Sequence, residues 1–365
     1  MQPLKLLSLS IAMLVCHYAV AQTADVSDLP RKGKLLTEIY SSTILKENRL
    51  GIDTKRSIKV YLPAGYDHSN KRYPVIYFLH NIFWNNDQMF EDGRVVTLMD
   101  RAIVSGVMGE FIMVVPDYKT ATTGSLYENS PVSGRWLDHT TDEIVPFIDK
   151  KFRTIPHQTS RAVVGEFMGG RGALKLAMTR PDIFSVAYAL HPVATGMGEL
   201  PWAYLRINWQ KLFASKSYPD QSLEGIEQIF LSVSQAFLPN EKRPPLYCDF
   251  FMEMVNNTPT LLPDNVRKAR EGFLLDESLD ACADNLRKLS GIALDWGRFD
   301  PTYAHVDSNR EFSRKLEDLG IEHEAEEYRG NPYDKVWLED GRFYTRVLPF
   351  LAKHLIFAEA ASVSK

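Results

Sequence analysis

The chain has 365 residues, of which 45% are hydrophobic and 24% charged, so it can bury a large core and suits one big α/β domain or one domain plus an insertion. A net charge of −4, with Lys and Arg scattered along the chain, excludes the electrostatic field that draws nucleic acid or anionic lipid. The scattered charges read as solvated surface.

The first 21 residues read as an export signal. Lys5 precedes the apolar run Leu6 to Val15, and Ala19-Val20-Ala21 then supplies an Ala-x-Ala cleavage site before Gln22. The apolar run is too short to span a bilayer, and no other stretch approaches 18 continuous apolar residues. A secreted or periplasmic location follows as the expectation, with residues 22–365 as the mature domain. Cys16 would leave with the signal, and Cys248 and Cys282 remain. In an exported protein the pair is expected to form a disulfide, two separately buried thiols being the alternative.

The mature chain alternates strands and helices. Ser57 to Pro63 alternates in polarity like an antiparallel edge strand, whereas Val75 to Leu79 and Phe111 to Val115 are continuous apolar runs, as strands covered on both faces are. Helical periodicity fills Val95 to Val107 and Thr140 to Phe152. Ala162 to Val164 is the next strand, Gly172 to Thr179 a helix, and Ser185 to Leu190 a further strand. The C-terminal part continues with a strand Gly291 to Asp295, a helix Ser308 to Leu319, a strand Glu322 to Tyr328 and a last helix Gly341 to Phe357. This order predicts a mostly parallel, doubly wound α/β sheet. Between about residues 195 and 284 the rhythm breaks into proline-rich short helical patterns, which suggests a helical insertion or cap.

The stretch Gly165-Glu-Phe-Met-Gly169 joins a buried strand to a helix, which is the layout of a nucleophile elbow. Its central residue is Phe167, and a phenyl ring can neither attack a carbonyl nor accept a proton. No metal-ligand cluster, phosphate-cradling loop or dinucleotide fingerprint stands out in the sequence, and no cofactor is expected.

Several motifs occur together and in order: Val60-Tyr-Leu-Pro63, Pro74 to His80, Gly124-Ser-Leu-Tyr-Glu-Asn-Ser-Pro131, Gly134-Arg-Trp136, Gly165-x-x-Met-Gly-Gly170, Leu294-Asp-Trp-Gly297 and Val347-Leu-Pro-Phe350. Over about residues 40–355 the chain resembles the putative esterase family of α/β-hydrolases, which includes esterase D, bacterial feruloyl esterases and the antigen 85 mycolyltransferases. The resemblance implies the α/β-hydrolase fold and a Ser-His-Asp mechanism with two oxyanion-binding N–H groups. Carried across by position, the nucleophile falls on Phe167, the acid on Asp300 and the base on Pro332, with Asn331 beside it. Only Asp300 has the chemistry its position requires. His305 and His323 read as local structure and His354 as a helix-end residue.

The oxyanion and pocket region would comprise His80, Asn81, Met168, Tyr118 and Trp136. Asn81 replaces the usual Gly and tolerates a left-handed conformation, while Ile82, Phe83 and Trp84 would narrow the space. Phe83, Trp84, Tyr118, Tyr127 and Trp136 could stack on a sugar or aryl ring, core cover being the alternative. Glu166 is a candidate substitute base, although its position points it away from the reaction center. Asp300, lacking a His partner, is expected to face solvent or bind local backbone amides. Without a nucleophile to present, Phe167 has less reason to keep the strained elbow backbone, and its ring is expected to fill the old acyl pocket.

Two functions remain open. One is an exported pseudoenzyme that binds an ester, an acylated carbohydrate or a protein partner. The other is an enzyme that reuses the pocket for lyase, isomerase or cyclase chemistry, or keeps residual ester hydrolysis.

Overall fold

The computed structural model describes residues 32–196, 207–333 and 336–357. The export-signal residues lie outside this set. Eight strands form the central sheet: β1 (Lys34–Ser41), β2 (Lys55–Leu62), β3 (Val75–Leu79), β4 (Ile112–Pro116), β5 (Arg161–Glu166), β6 (Val186–Leu190), β7 (Gly291–Gly297) and β8 (Glu324–Tyr328). Their order is β1-β2-β4-β3-β5-β6-β7-β8. β2 pairs antiparallel with both β1 and β4, and all other pairs are parallel. The α/β class read from the sequence is therefore the observed one.

Strands β3, β4, β5 and β6 are buried along their whole length, which explains their continuous apolar composition. Helices cover both faces. They include α1 (Arg94–Val104), α2 (Val145–Lys151) and α3 (Met168–Thr179), the last packed behind the elbow. α2 is preceded by a π-helical stretch at His139–Ile144.

Between β6 and β7 lie α4 (Trp209–Ala214), α5 (Gly225–Phe237), α6 (Pro263–Phe273) and α7 (Leu279–Leu286), with a small hairpin of Met252–Val255 and Thr258–Leu261. Part of this region packs around its own apolar cluster of Trp209, Leu212, Phe230, Phe251 and Met252. Arg171 ties it to the sheet. Its fully buried guanidinium donates to the carbonyls of Gly272 (2.9 Å) and Phe273 (2.8 Å) and to Glu128 (2.9 Å). The chain closes with α8 (Tyr303–Asp318), β8 and α9 (Leu348–His354).

The expected disulfide is not formed, and both cysteines are free. Cys248 is buried in the insertion's own cluster, while Cys282 on α7 packs against the main core, so each thiol is absorbed by a different apolar environment.

Candidate functional site at the carboxyl edge of the sheet

β5 runs straight into α3 through Phe167, at the carboxyl edge of the sheet where open α/β folds hold their sites. Phe167 keeps φ 51° and ψ −115°, a conformation that costs a non-glycine residue on the order of 1–3 kcal/mol. The expected relaxation has not occurred. The neighboring glycines explain why: a Cβ at Gly165 would lie 2.1 Å from the Gly169 carbonyl oxygen, and one at Gly169 would lie 1.9 Å from that of Leu79. The turn is imposed by backbone packed on backbone. The Phe167 N–H donates to Leu190 (3.0 Å) and its carbonyl accepts from Arg171 N–H (3.0 Å), which fixes it from both sides.

The Phe167 ring is half-buried and lies between two others. His191 is 5.2 Å away, and Tyr333 stacks nearly parallel at 4.9 Å and 26°. Tyr333 stands one residue beyond Pro332. The Gly330–Pro332 backbone packs over Gly297, so Pro332 serves the loop's course while the Tyr333 side chain reaches Phe167.

Asp300 departs most from expectation, because it has two histidine partners. Its Oδ2 lies 2.7 Å from His191 Nε2 and 2.8 Å from His305 Nδ1, and its Oδ1 accepts from Thr302 N–H at 2.7 Å. Burial alone would raise the Asp300 carboxyl, but the donors of His191, His305 and Thr302 outweigh it and hold it below its ordinary value. His305 is thus a ligand of Asp300 and more than local helix structure. His191, at the end of β6 with φ 42°, was not singled out by motif. Its sequence signal is a titratable residue placed just after the apolar run Val186 to Leu190, at the edge where sites form.

His191, Asp300 and His305 converge like a metal-ligand set, their donor atoms all within 4.8 Å of one another. The protons argue against that use. His191 Nδ1 accepts from the Gly297 N–H at 3.0 Å, so neutral His191 carries its proton on Nε2 and donates it to Asp300. A metal needs a lone pair at that Nε2. The same reasoning removes His191 as a base, since both ring nitrogens are committed. Burial also pushes its pKa down, against the pull of Asp300.

The oxyanion region is rebuilt from side chains. Asn81 is not left-handed; its side chain makes the turn, Oδ1 accepting from Phe83 N–H (2.9 Å) and Nδ2 donating to Glu166 (3.2 Å). His80 accepts from Tyr118 N–H at Nε2 (3.0 Å), which leaves Nδ1–H to donate to the Asn81 carbonyl (2.7 Å). Tyr127 OH donates to the His80 carbonyl. Met168 opens α3, so its N–H is among those without an intrahelical acceptor.

The aromatic residues divide into two groups. Tyr118, Tyr127 and Trp136 are buried core, with Tyr118 OH bonded to Thr140 (2.8 Å), so they offer no stacking surface. Phe83 and Trp84 are exposed, while buried Ile82 packs against Gly124. Phe299, Tyr303 and Tyr333 are also exposed at this edge. The sequence also places an aromatic loop of the rim at residues 202–209, of which 202–206 lie outside the described residues. Glu166 is buried, and burial raises it to about 7 against the Asn81 hydrogen bond.

Comparison with known proteins agrees with this architecture. The family model described as putative esterase matches residues 50–224. An endo-1,4-beta-xylanase/feruloyl esterase of Xylanibacter ruminicola is 30% identical over 138 residues, 35% of this chain and 18% of that protein. An esterase of Mycobacterium tuberculosis is 34% identical over 121 residues, 33% of this chain and 25% of the relative. The matches thus span a quarter or less of these relatives' own length. Among solved structures, a ferulic acid esterase aligns with TM-score 0.61 at 21% identity, covering 89% of this chain and 100% of its own. An S-formylglutathione hydrolase from Staphylococcus aureus aligns with TM-score 0.57 at 13% identity, covering 88% of this chain and 99% of its own. The chain has the α/β-hydrolase fold and is related, through residues 50–224, to the putative esterase family.

Proposed function

We propose that this chain is an exported, esterase-derived binding protein that does not hydrolyze esters through the elbow. The observation that carries the reading is the pairing at its center: a phenyl ring at the elbow tip, beside an imidazole whose two nitrogens are both committed. In a serine protease, loss of the nucleophile or base costs about 10⁶ in kcat, roughly 8 kcal/mol, and leaves about 10³–10⁴ over water. Phe167 also occupies space that a substrate carbon would need, which removes part of that remainder. The relatives' names make an ester or acylated carbohydrate the favored ligand class, with exposed Phe299, Tyr303 and Tyr333 as contact surface. A protein partner is the alternative occupant.

A second reading, a non-serine enzyme, draws on Asp300 and His305. A carboxylate bonded to Nδ1 is the contact that orients a base in hydrolytic triads. Incubation with feruloylated or acetylated oligosaccharides separates the two. Thermal shifts without product support the binding protein, whereas product that disappears in Asp300→Ala or Glu166→Gln supports the enzyme. Export is tested separately, by finding a mature N-terminus at Gln22.

A further inference from the structure

The structure assigns Tyr333 to the place of the missing base, as half of an aromatic plug that it forms with Phe167 over an otherwise retained hydrolytic scaffold. This rests on the reading above and deepens it. A triad base must touch the nucleophile on one side and approach the acid on the other, and His191, which does both, has neither ring nitrogen free to take a proton. The Tyr333 ring stacks on the residue at the nucleophile position at 4.9 Å. The acid is nearby as well: partial desolvation of the ring face against Phe167, and then the charge of Asp300, raise the phenol pKa.

The loop that carries Tyr333 is held to the segment that carries Asp300. Arg298 N–H donates to the Tyr328 carbonyl and Phe299 N–H to that of Gly330, both at 2.9 Å, and Tyr333 N–H donates to Asn331 Oδ1 at 2.9 Å. Position 333 is therefore set by backbone contacts that do not depend on its side chain. Pro332, the position reached by counting along the motif, lies with its backbone nitrogen against Gly297.

The elbow and the acid are in place. Phe167 has kept the positive φ that presents a side chain at the elbow, Met168 opens the helix behind it, and Asp300 is ionized and fixed. Tyr333 is 72% exposed, so its outer face is open and the plug can be changed without emptying the core. Both residues must change together. A hydroxyl at 167 under a neutral phenol has no base, and an imidazole at 333 over a phenyl ring has nothing to deprotonate.

The test is the double variant Phe167→Ser/Tyr333→His, compared with both single variants and with Phe167→Ser/Pro332→His. With a fluorophosphonate probe, the introduced hydroxyl oxygen attacks phosphorus, fluoride leaves with the P–F electron pair, and the introduced imidazole takes the hydroxyl proton. The expected result is labeling at position 167 and p-nitrophenyl acetate hydrolysis on the order of 10²-fold above Phe167→Ser alone, the usual contribution of a general base. A double variant that melts cooperatively yet is as inert as Phe167→Ser overturns the assignment, as does higher activity in the Pro332→His combination. Should the double variant not fold, Phe167→Ser/Tyr333→Ala with added free imidazole serves in its place, and absence of imidazole-dependent rescue overturns the proposal. Turnover by the unmodified chain would instead sink the binding-protein reading, a separate result.

Discussion

The elbow and the loops around it have had different fates. From β5 through Phe167 into α3, the hydrolase geometry is intact down to the positive φ. Around it, Tyr333 covers Phe167, two histidines occupy Asp300, and the Asn81 side chain makes the turn after β3. The difference shows what holds each part. The elbow is fixed by strand and helix backbones in direct contact, so its geometry does not depend on which side chain it presents. Around it, the contacts of Asn81 and Asp300 run through side chains, whereas the Tyr333 loop is held by backbone hydrogen bonds from Arg298 and Phe299.

The strongest way to break this comparison is Gly165→Ala. The new Cβ would meet the Gly169 backbone, which cannot swing aside, so a loss of at least about 3 kcal/mol is expected in chemical denaturation. A loss below about 1 kcal/mol would mean the elbow is soft and its strain has another cause.

Glu166 gives the next effect. Its pKa rises from the ordinary 4.5 to about 7 in the fold, so between those values the folded state holds a proton that the unfolded chain has released. Stability should therefore fall as pH rises from about 4.5 to 7 and level off above, by about 3 kcal/mol from this group. Glu166→Gln should flatten that slope and raise stability at pH 8. An unchanged pH profile would show that Glu166 is ionized at no cost.

The smallest effect is expected at Phe167 itself. Because its ring is only half-buried, Phe167→Ser should cost about 1 kcal/mol and yield no hydrolysis. A much larger cost would mean that the ring supports the loops as a core residue does.

The fold was legible because its buried parallel strands have continuous apolar runs and its elbow has glycines at fixed spacing. The motif Leu294-Asp-Trp-Gly297 ends β7 and so sets Asp300 just beyond the carboxyl edge, but its histidine partners left no sign in the sequence. His191 and Tyr333 were not legible. His191 meets Asp300 across 109 residues of sequence, and that contact depends on β6 pairing with β7. Tyr333 sits in a loop without periodicity, so its stacking on Phe167 leaves no signal in the sequence. The burial of Tyr118 and Trp136 was hidden too, because a loop aromatic reads alike whether it lines a mouth or plugs a core. The cysteines misled through a compartment rule that says nothing about which cluster each thiol joins.

Intact-mass spectrometry of the purified, unmodified protein after prolonged incubation with excess fluorophosphonate probe separates a binding protein from a serine hydrolase. An unchanged mass is expected of the binding protein, because the elbow offers no hydroxyl and neither nitrogen of His191 is available to activate another. A single stoichiometric adduct would contradict it, and the labeled residue would identify the nucleophile that the geometry of Phe167 and His191 excludes.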